Sequence, residues 1–129
     1  MRVRAVLATA ALLPLGAAAP AVAVPPPAPD RGILLTVSGS ENTWIRGVVL
    51  HCPPRLDGWH PDAAGACAAL DEAEGDFDAL AGDPHPCTYA YAPVTVTAEG
   101  ARQGDAVTWR HTFPNACVLD AATGPVFRF

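Results

Sequence analysis

The sequence predicts an α+β domain: an antiparallel sheet of about five strands, with one main helix and a short second helical turn packed on one face and two disulfides. Three observations carry this. Short β-branched segments outnumber helical ones and follow one another directly along the chain, which favours antiparallel pairing. One alanine-rich run keeps helical spacing between its apolar residues. Four cysteines stand in a short chain behind an export-type leader, and such chains use cysteine for disulfides.

The leader comes first. Arg2 and Arg4 precede an apolar run from Ala5 to Ala19, and Ala21-Val22-Ala23 supplies a small-x-small cleavage site. Residues 1–23 therefore read as a signal peptide, which makes the protein secreted and extracellular. Pro14 and Gly16 interrupt the run, which is short for a bilayer span, and no cysteine follows it to take a lipid. No later segment is apolar enough to cross a membrane, so no membrane association is expected after cleavage. Residues 24–32 read as a mobile proline-rich arm, dense in proline from Val24 to Pro29, and residues 33–129 as a single domain.

Within the domain, Ile33 to Val37 is β-rich and stops at Ser38-Gly39-Ser40. Trp44 to Cys52 is a second apolar stretch, ended by Pro53-Pro54, and the two make an antiparallel pair. Residues 55–60 read as loop. Pro61 suits a first helical position, and Ala63, Cys67 and Leu70 then fall on one face of a helix. Asp71, Glu72 and Glu74 crowd its unfavourable C-terminal end, and Gly75 stops it. Asp76 caps a further short turn that points Phe77 and Leu80 the same way. Val94 to Ala98 and Val107 to Phe113 alternate as half-buried strands around a loop of several residues, Gly100 to Gly104. Pro114 to Cys117 breaks the pattern, and Val126 to Phe129 reads as a short closing strand.

Charge and motif content narrow the chemistry. A net charge of −5 argues against nucleic acid, which demands a basic face. No Gly-x-Ser-x-Gly elbow or other nucleophile motif is present, so the chain does not read as an enzyme. The carboxylates gather at one helix end, as a solvated face does. His51, His60, His85 and His111 are scattered, and no two cysteines keep the close spacing of a zinc site, so neither a metal nor another cofactor is expected. Cys52, Cys67, Cys87 and Cys117 allow three disulfide pairings, and the residues alone do not choose between them.

The most informative stretch is His85-Pro86-Cys87-Thr88-Tyr89-Ala90-Tyr91-Ala92-Pro93. Pro86 and Pro93 fix their own φ and drive His85 and Ala92 toward extended backbone. A bridged Cys87 would tie one flank to the body. No acid and no glycine interrupts the segment. It reads as a stiff extended loop presenting Tyr89, the shape that a protease cleft binds, although an ordinary connection with a surface tyrosine has the same local pattern.

The order of motifs resembles the small secreted bacterial subtilisin-inhibitor family. Cys52-Pro53-Pro54, His60-Pro61 with an alanine-rich run to Cys67, and Gly75-Asp76-Phe77 through Leu80 carry the first half. Cys87 through Tyr91, Pro93-Val94 through Gly100, Gly104, Phe113 through Cys117 and Val126-Phe127 carry the second. The resemblance covers the chain from about Leu34 onward. It implies an α+β homodimer that inhibits serine proteases of subtilisin type by binding as a substrate does; a tyrosine at the primary position also suits the roomy apolar pocket of chymotrypsin-like enzymes.

Carried over residue by residue, the scissile bond is Tyr89–Ala90. Tyr89 enters the primary specificity pocket, Thr88 and Cys87 precede it along the cleft, and Tyr91 and Ala92 follow. The resemblance further implies pairing of Cys52 with Cys67 and Cys87 with Cys117, and support of the loop by Pro93 and by the Asn115 side chain. From the residues alone, Asn115 could equally cap a turn. Thr88 stands where this family commonly has proline, Ala92 where it has an acid, and Arg102 where it often has tryptophan. The competing function class is a secreted, non-inhibitory protein-binding module.

Overall fold

Period-two burial organises the sheet. In β1 (Gly32–Gly39), Ile33, Leu35 and Val37 are buried on one face, while Leu34 and Thr36 lie on the other. β1 is flanked by β2 (Ile45–Leu50) and β3 (Val94–Arg102), and β3 pairs in turn with β4 (Asp105–Phe113). All pairings are antiparallel, in the order β2-β1-β3-β4. This computed structural model describes residues 10, 11, 16–24, 31–53 and 58–129. Much of the leader expected at 1–23, residues 25–30 of the arm and residues 55–57 of the loop expected at 55–60 lie outside the described residues.

The sheet has four strands among the described residues, not five. The closing segment read as a strand is instead a 3₁₀ turn over Gly124–Phe127. Pro125 has no N–H to give a ladder, and Val126 and Phe127 are buried in the core, beside the first helix. The β3–β4 connection is also tighter than predicted. β3 runs through Gly100 to Arg102, and Gln103-Gly104 turns the chain with φ of 50° and 85°, the left-handed pair of a two-residue hairpin loop.

Among the described residues, two α-helices cover the inner face. α1 spans Ala63–Glu72 and is capped by Asp62, whose carboxylate accepts the Gly65 N–H at 2.9 Å. Pro61 therefore stands before the cap, not inside the helix. Cys67 and Leu70 face the core, and Cys67 is bonded to Cys52 just past β2. Arg102, mostly buried, ion-pairs with Asp71 and so offsets charge at the acidic C-terminal end of α1. The short turn Phe77–Ala79 is capped by Asp76, and Phe77 stacks on Trp109 with ring centroids 5.2 Å apart. His60 is buried: Nδ1 accepts the Asp62 N–H at 3.0 Å, so Nε2 carries the proton and donates to the Val126 carbonyl at 2.9 Å.

The second helix, α2 (Ala116–Thr123), was not predicted. Pro114-Asn115 read as a break, and it is the start of a helix. Asn115 is extended, and its side-chain oxygen accepts the Val118 N–H at 2.9 Å, an N-cap arrangement. Leu119 and Thr123 bury its inner face. On the opposite face of the sheet Leu34 and Ile45 are exposed and Thr36 is bonded to Thr97, and no helix among the described residues covers it.

Candidate functional site

From Leu80 to Pro93 the backbone has no regular secondary structure, and α2 is the platform beneath it. At the start of this segment Asp83 N–H bonds the Ala121 carbonyl at 3.0 Å. Gly82 has φ +66°, and a Cβ there would lie 2.2 Å from the same oxygen, so only glycine allows the approach. Further on, Cys87 is bonded to Cys117 in the first turn of α2. At the end, Ala92 N–H bonds the Pro114 carbonyl at 3.0 Å, and the Ser40 hydroxyl donates to the Pro93 carbonyl at 3.4 Å.

Between these ties the chain stands away from the body. Tyr89 is fully exposed, and Tyr91 is 82% exposed. Thr88, Ala90 and Ala92 are also at the surface. The carbonyls of Thr88 and Ala90, however, are held. The Asn115 side-chain nitrogen donates to the Thr88 carbonyl at 3.3 Å and to the Ala90 carbonyl at 2.8 Å. Asn115 itself is buried. One carboxamide thus caps α2 through its oxygen and holds both neighbours of Tyr89 through its nitrogen. The alternatives open in the sequence, turn cap or loop support, are both occupied by one side chain.

Charged groups brace the approach to the loop. His85 Nε2 lies 2.7 Å from Asp120 of α2. Arg128 spans Asp120 at 2.6 Å and Asp83 at 2.9 Å. Hydrogen bonds from Arg128, then from His85, hold the Asp120 carboxyl down at about 2. The same Asp120 bond, with a smaller contribution from the Pro86 carbonyl, raises His85 above its ordinary value. Sequence reasoning missed this cluster and Ser40, because their partners lie far along the chain and no local pattern links them. His85 Nδ1 also sits 3.7 Å from each sulfur of Cys87–Cys117. Those sulfurs are bonded to each other, which removes them as metal ligands.

Sheet, helices and braced loop together define a small α+β domain, built on two disulfides, that displays one segment by holding its backbone and leaving its side chains free. The chain belongs to the subtilisin inhibitor-like family, whose model matches residues 31–115. It is 43% identical to a subtilase-type protease inhibitor of Streptomyces fradiae, over 96% of this chain and 91% of that protein. It is 44% identical to subtilisin inhibitor-like protein 2 of Streptomyces rochei, over 75% and 90% respectively. Among solved structures, it is similar to Streptomyces caespitosus sermetstatin, crystallised in complex with Bacillus licheniformis subtilisin. The TM-score is 0.60 at 35% identity, over 75% of this chain and 96% of that one.

Proposed function

We propose that this protein inhibits subtilisin-type serine proteases by offering the Tyr89–Ala90 bond as a substrate that is bound well and released slowly. The observation that carries the reading is the pairing of a fully exposed Tyr89 with held carbonyls on either side of it. Thr88 to Ala92 would lie along the cleft and pair with its edge through main-chain hydrogen bonds. Tyr89 fills the S1 pocket. A roomy apolar pocket of subtilisin or chymotrypsin type accepts tyrosine, whereas a pocket with an acid at its base does not.

Resistance to digestion follows from the same bracing. If the bond is cut, the new carboxyl end stays tied through Cys87–Cys117 and the Thr88 carbonyl. The new amine stays tied through the Ala90 carbonyl and the Ala92–Pro114 bond. Neither end diffuses away, so rejoining has the advantage of an intramolecular reaction. A loop already ordered also loses little entropy on binding.

The leader fits export, so the site of action is extracellular; among the described residues no helix is long and apolar enough to cross a membrane. The uncovered sheet face, with Leu34 and Ile45 exposed, suits a two-fold homodimer that leaves both loops free. The test is titration of subtilisin with the disulfide-bonded protein, following hydrolysis of a small chromogenic peptide. Stoichiometric inhibition is expected. Full activity at micromolar protein would favour the non-inhibitory binding module.

A further inference from the structure

Magnitude raises a question about the loop. A specific protein interface covers about 800 Å² and some 20–30 residues on each partner. The exposed stretch from Thr88 to Ala92 falls far short of that. Other surface must join it, and on the side that follows Ala90 the neighbour is the turn between β1 and β2.

We propose that Trp44, with Arg46 stacked on it, is a second contact for the inhibited protease, gripping the rim of the cleft beyond the subsites that hold Ala90 to Ala92. This rests on Tyr89–Ala90 as the reactive bond. A groove of about 270 Å³ runs between Ser40, Thr43 and Trp44 on one wall and Ala92 and Pro93 on the other. It is therefore continuous with the loop. The Trp44 indole lies so close over Gly39 that a Cβ there would sit 2.4 Å from its nitrogen, yet Trp44 stays 42% exposed. Arg46 places its guanidinium 5.1 Å from the ring centroid. Tryptophan and arginine are the residue types that most often dominate binding energy.

The turn is also pre-set. Gly39 N–H bonds the Trp44 carbonyl at 3.1 Å, Thr43 N–H bonds the Ser40 carbonyl at 3.1 Å, and Ser40 bonds Pro93. Glu41 and Asn42 at its tip both hold left-handed backbone, with φ of 54° and 55°. Such conformations cost free energy in non-glycine residues and gather at binding sites. The surface offered is an apolar slot with a cation at its edge. Its occupant is an apolar side chain on the protease rim, with a carboxylate or carbonyl oxygen facing Arg46.

The experiment compares Trp44→Ala, Arg46→Glu and Tyr89→Asp in the disulfide-bonded protein against Bacillus licheniformis subtilisin. It reads the inhibition constant, the dissociation rate, Tm, the sedimentation coefficient and the rate of cleavage at Tyr89–Ala90. Trp44→Ala should weaken inhibition ten-fold or more through faster dissociation, with bond cleavage unchanged. Arg46→Glu, which leaves the Trp44 ring in place, should weaken it less, by an amount that shrinks with added salt. Tyr89→Asp should abolish inhibition. If Trp44→Ala and Arg46→Glu both stay within two-fold of the parent while Tyr89→Asp abolishes inhibition, the second contact is wrong and the reactive bond stands. If Tyr89→Asp inhibits normally, the reactive bond itself is wrong. Faster cleavage or a lower Tm in Trp44→Ala, with Arg46→Glu unchanged, would make Trp44 a support for the loop and overturn the proposal. So would loss of self-association with inhibition intact, which would give the patch to a second copy of the chain.

Discussion

The side-chain nitrogen of Asn115 lies 2.8 Å from the carbonyl of Ala90, twenty-five positions earlier in the chain. It joins the cap of a helix to the residue just after Tyr89, so helix formation and loop order share one carboxamide. Substitutions at Asn115 can separate the two roles. Asn115→Asp keeps a good N-cap acceptor but loses the donor. Its Tm should stay within a few degrees of the parent, while cleavage at Tyr89–Ala90 rises ten-fold or more. Asn115→Ala loses both roles and should also give up about 1–3 kcal/mol of stability. Thermal denaturation and mass spectrometry of protease digests read the two effects separately, and equal cleavage rates in both variants and parent would remove Asn115 from the inhibitory mechanism.

Tyr89 touches nothing in its own chain that its substitution would disturb. Tyr89→Ala should leave unfolding free energy within about 0.5 kcal/mol of the parent. Its inhibition constant should rise by about 30- to 1000-fold, the range that about 2–4 kcal/mol at an interface centre implies. Tyr89→Lys should move preference toward enzymes with an acid in the S1 pocket. A Lys variant with the parent's target preference would exclude Tyr89 as the specificity residue.

The Cys87–Cys117 bond closes a 30-residue loop, for which chain entropy assigns about 3.5 kcal/mol. The double change Cys87→Ser, Cys117→Ser should lower stability by roughly that amount and turn the protein from inhibitor into substrate. The 15-residue loop of Cys52–Cys67 is worth about 3 kcal/mol on the same scale. Its double serine variant should lose comparable stability but, where still folded, inhibit normally. Chemical denaturation beside inhibition assays distinguishes the two bridges.

The charge cluster under His85 gives a pH window. Asp120 is held at about 2 against an ordinary 3.8, so its contribution is present above 3.8 and lost as pH falls toward 2. His85 is raised above 6.5, so its contribution is complete below 6.5 and lost as pH rises through the elevated value. The brace is therefore strongest between about pH 4 and 6.5. In Asp120→Asn the His85 titration, followed by NMR, should fall back toward 6.5. An unmoved titration would deny the His85–Asp120 pair any role in solution.

If the uncovered sheet face joins two copies, Leu34→Arg should shift sedimentation toward monomer without changing inhibition by each chain. Persistent dimers would place the contact elsewhere.

The strands were legible because alternation is local: Ile33, Leu35 and Val37 announce a buried face within a few residues. α2 was not legible. Ala116–Thr123 is short, its cap follows a proline, and its stability rests on Cys87, His85 and the loop packed over it, all distant in sequence. Val126 and Phe127 misled for the opposite reason, since their β-prone residues are buried from a turn that Pro125 enforces. Tyr89 was legible as a displayed residue because Pro86 and Pro93 bracket its stretch, with a plain surface tyrosine as the alternative; its place at the scissile bond and the loop-supporting role of Asn115 came only through the resemblance. The His85–Asp120–Arg128 cluster had no signal at all, because it exists only once three separated segments meet.

Gly82 and the held carbonyls have one further consequence. Among the described residues, every tie that shapes residues 88–92 reaches a main-chain atom, a bridge or a neighbour outside that stretch, and none grips its side chains. Short of a proline at 92, the letters written there can be exchanged while the interior notices nothing, so this segment can be rewritten for a different cleft at little expense to folding.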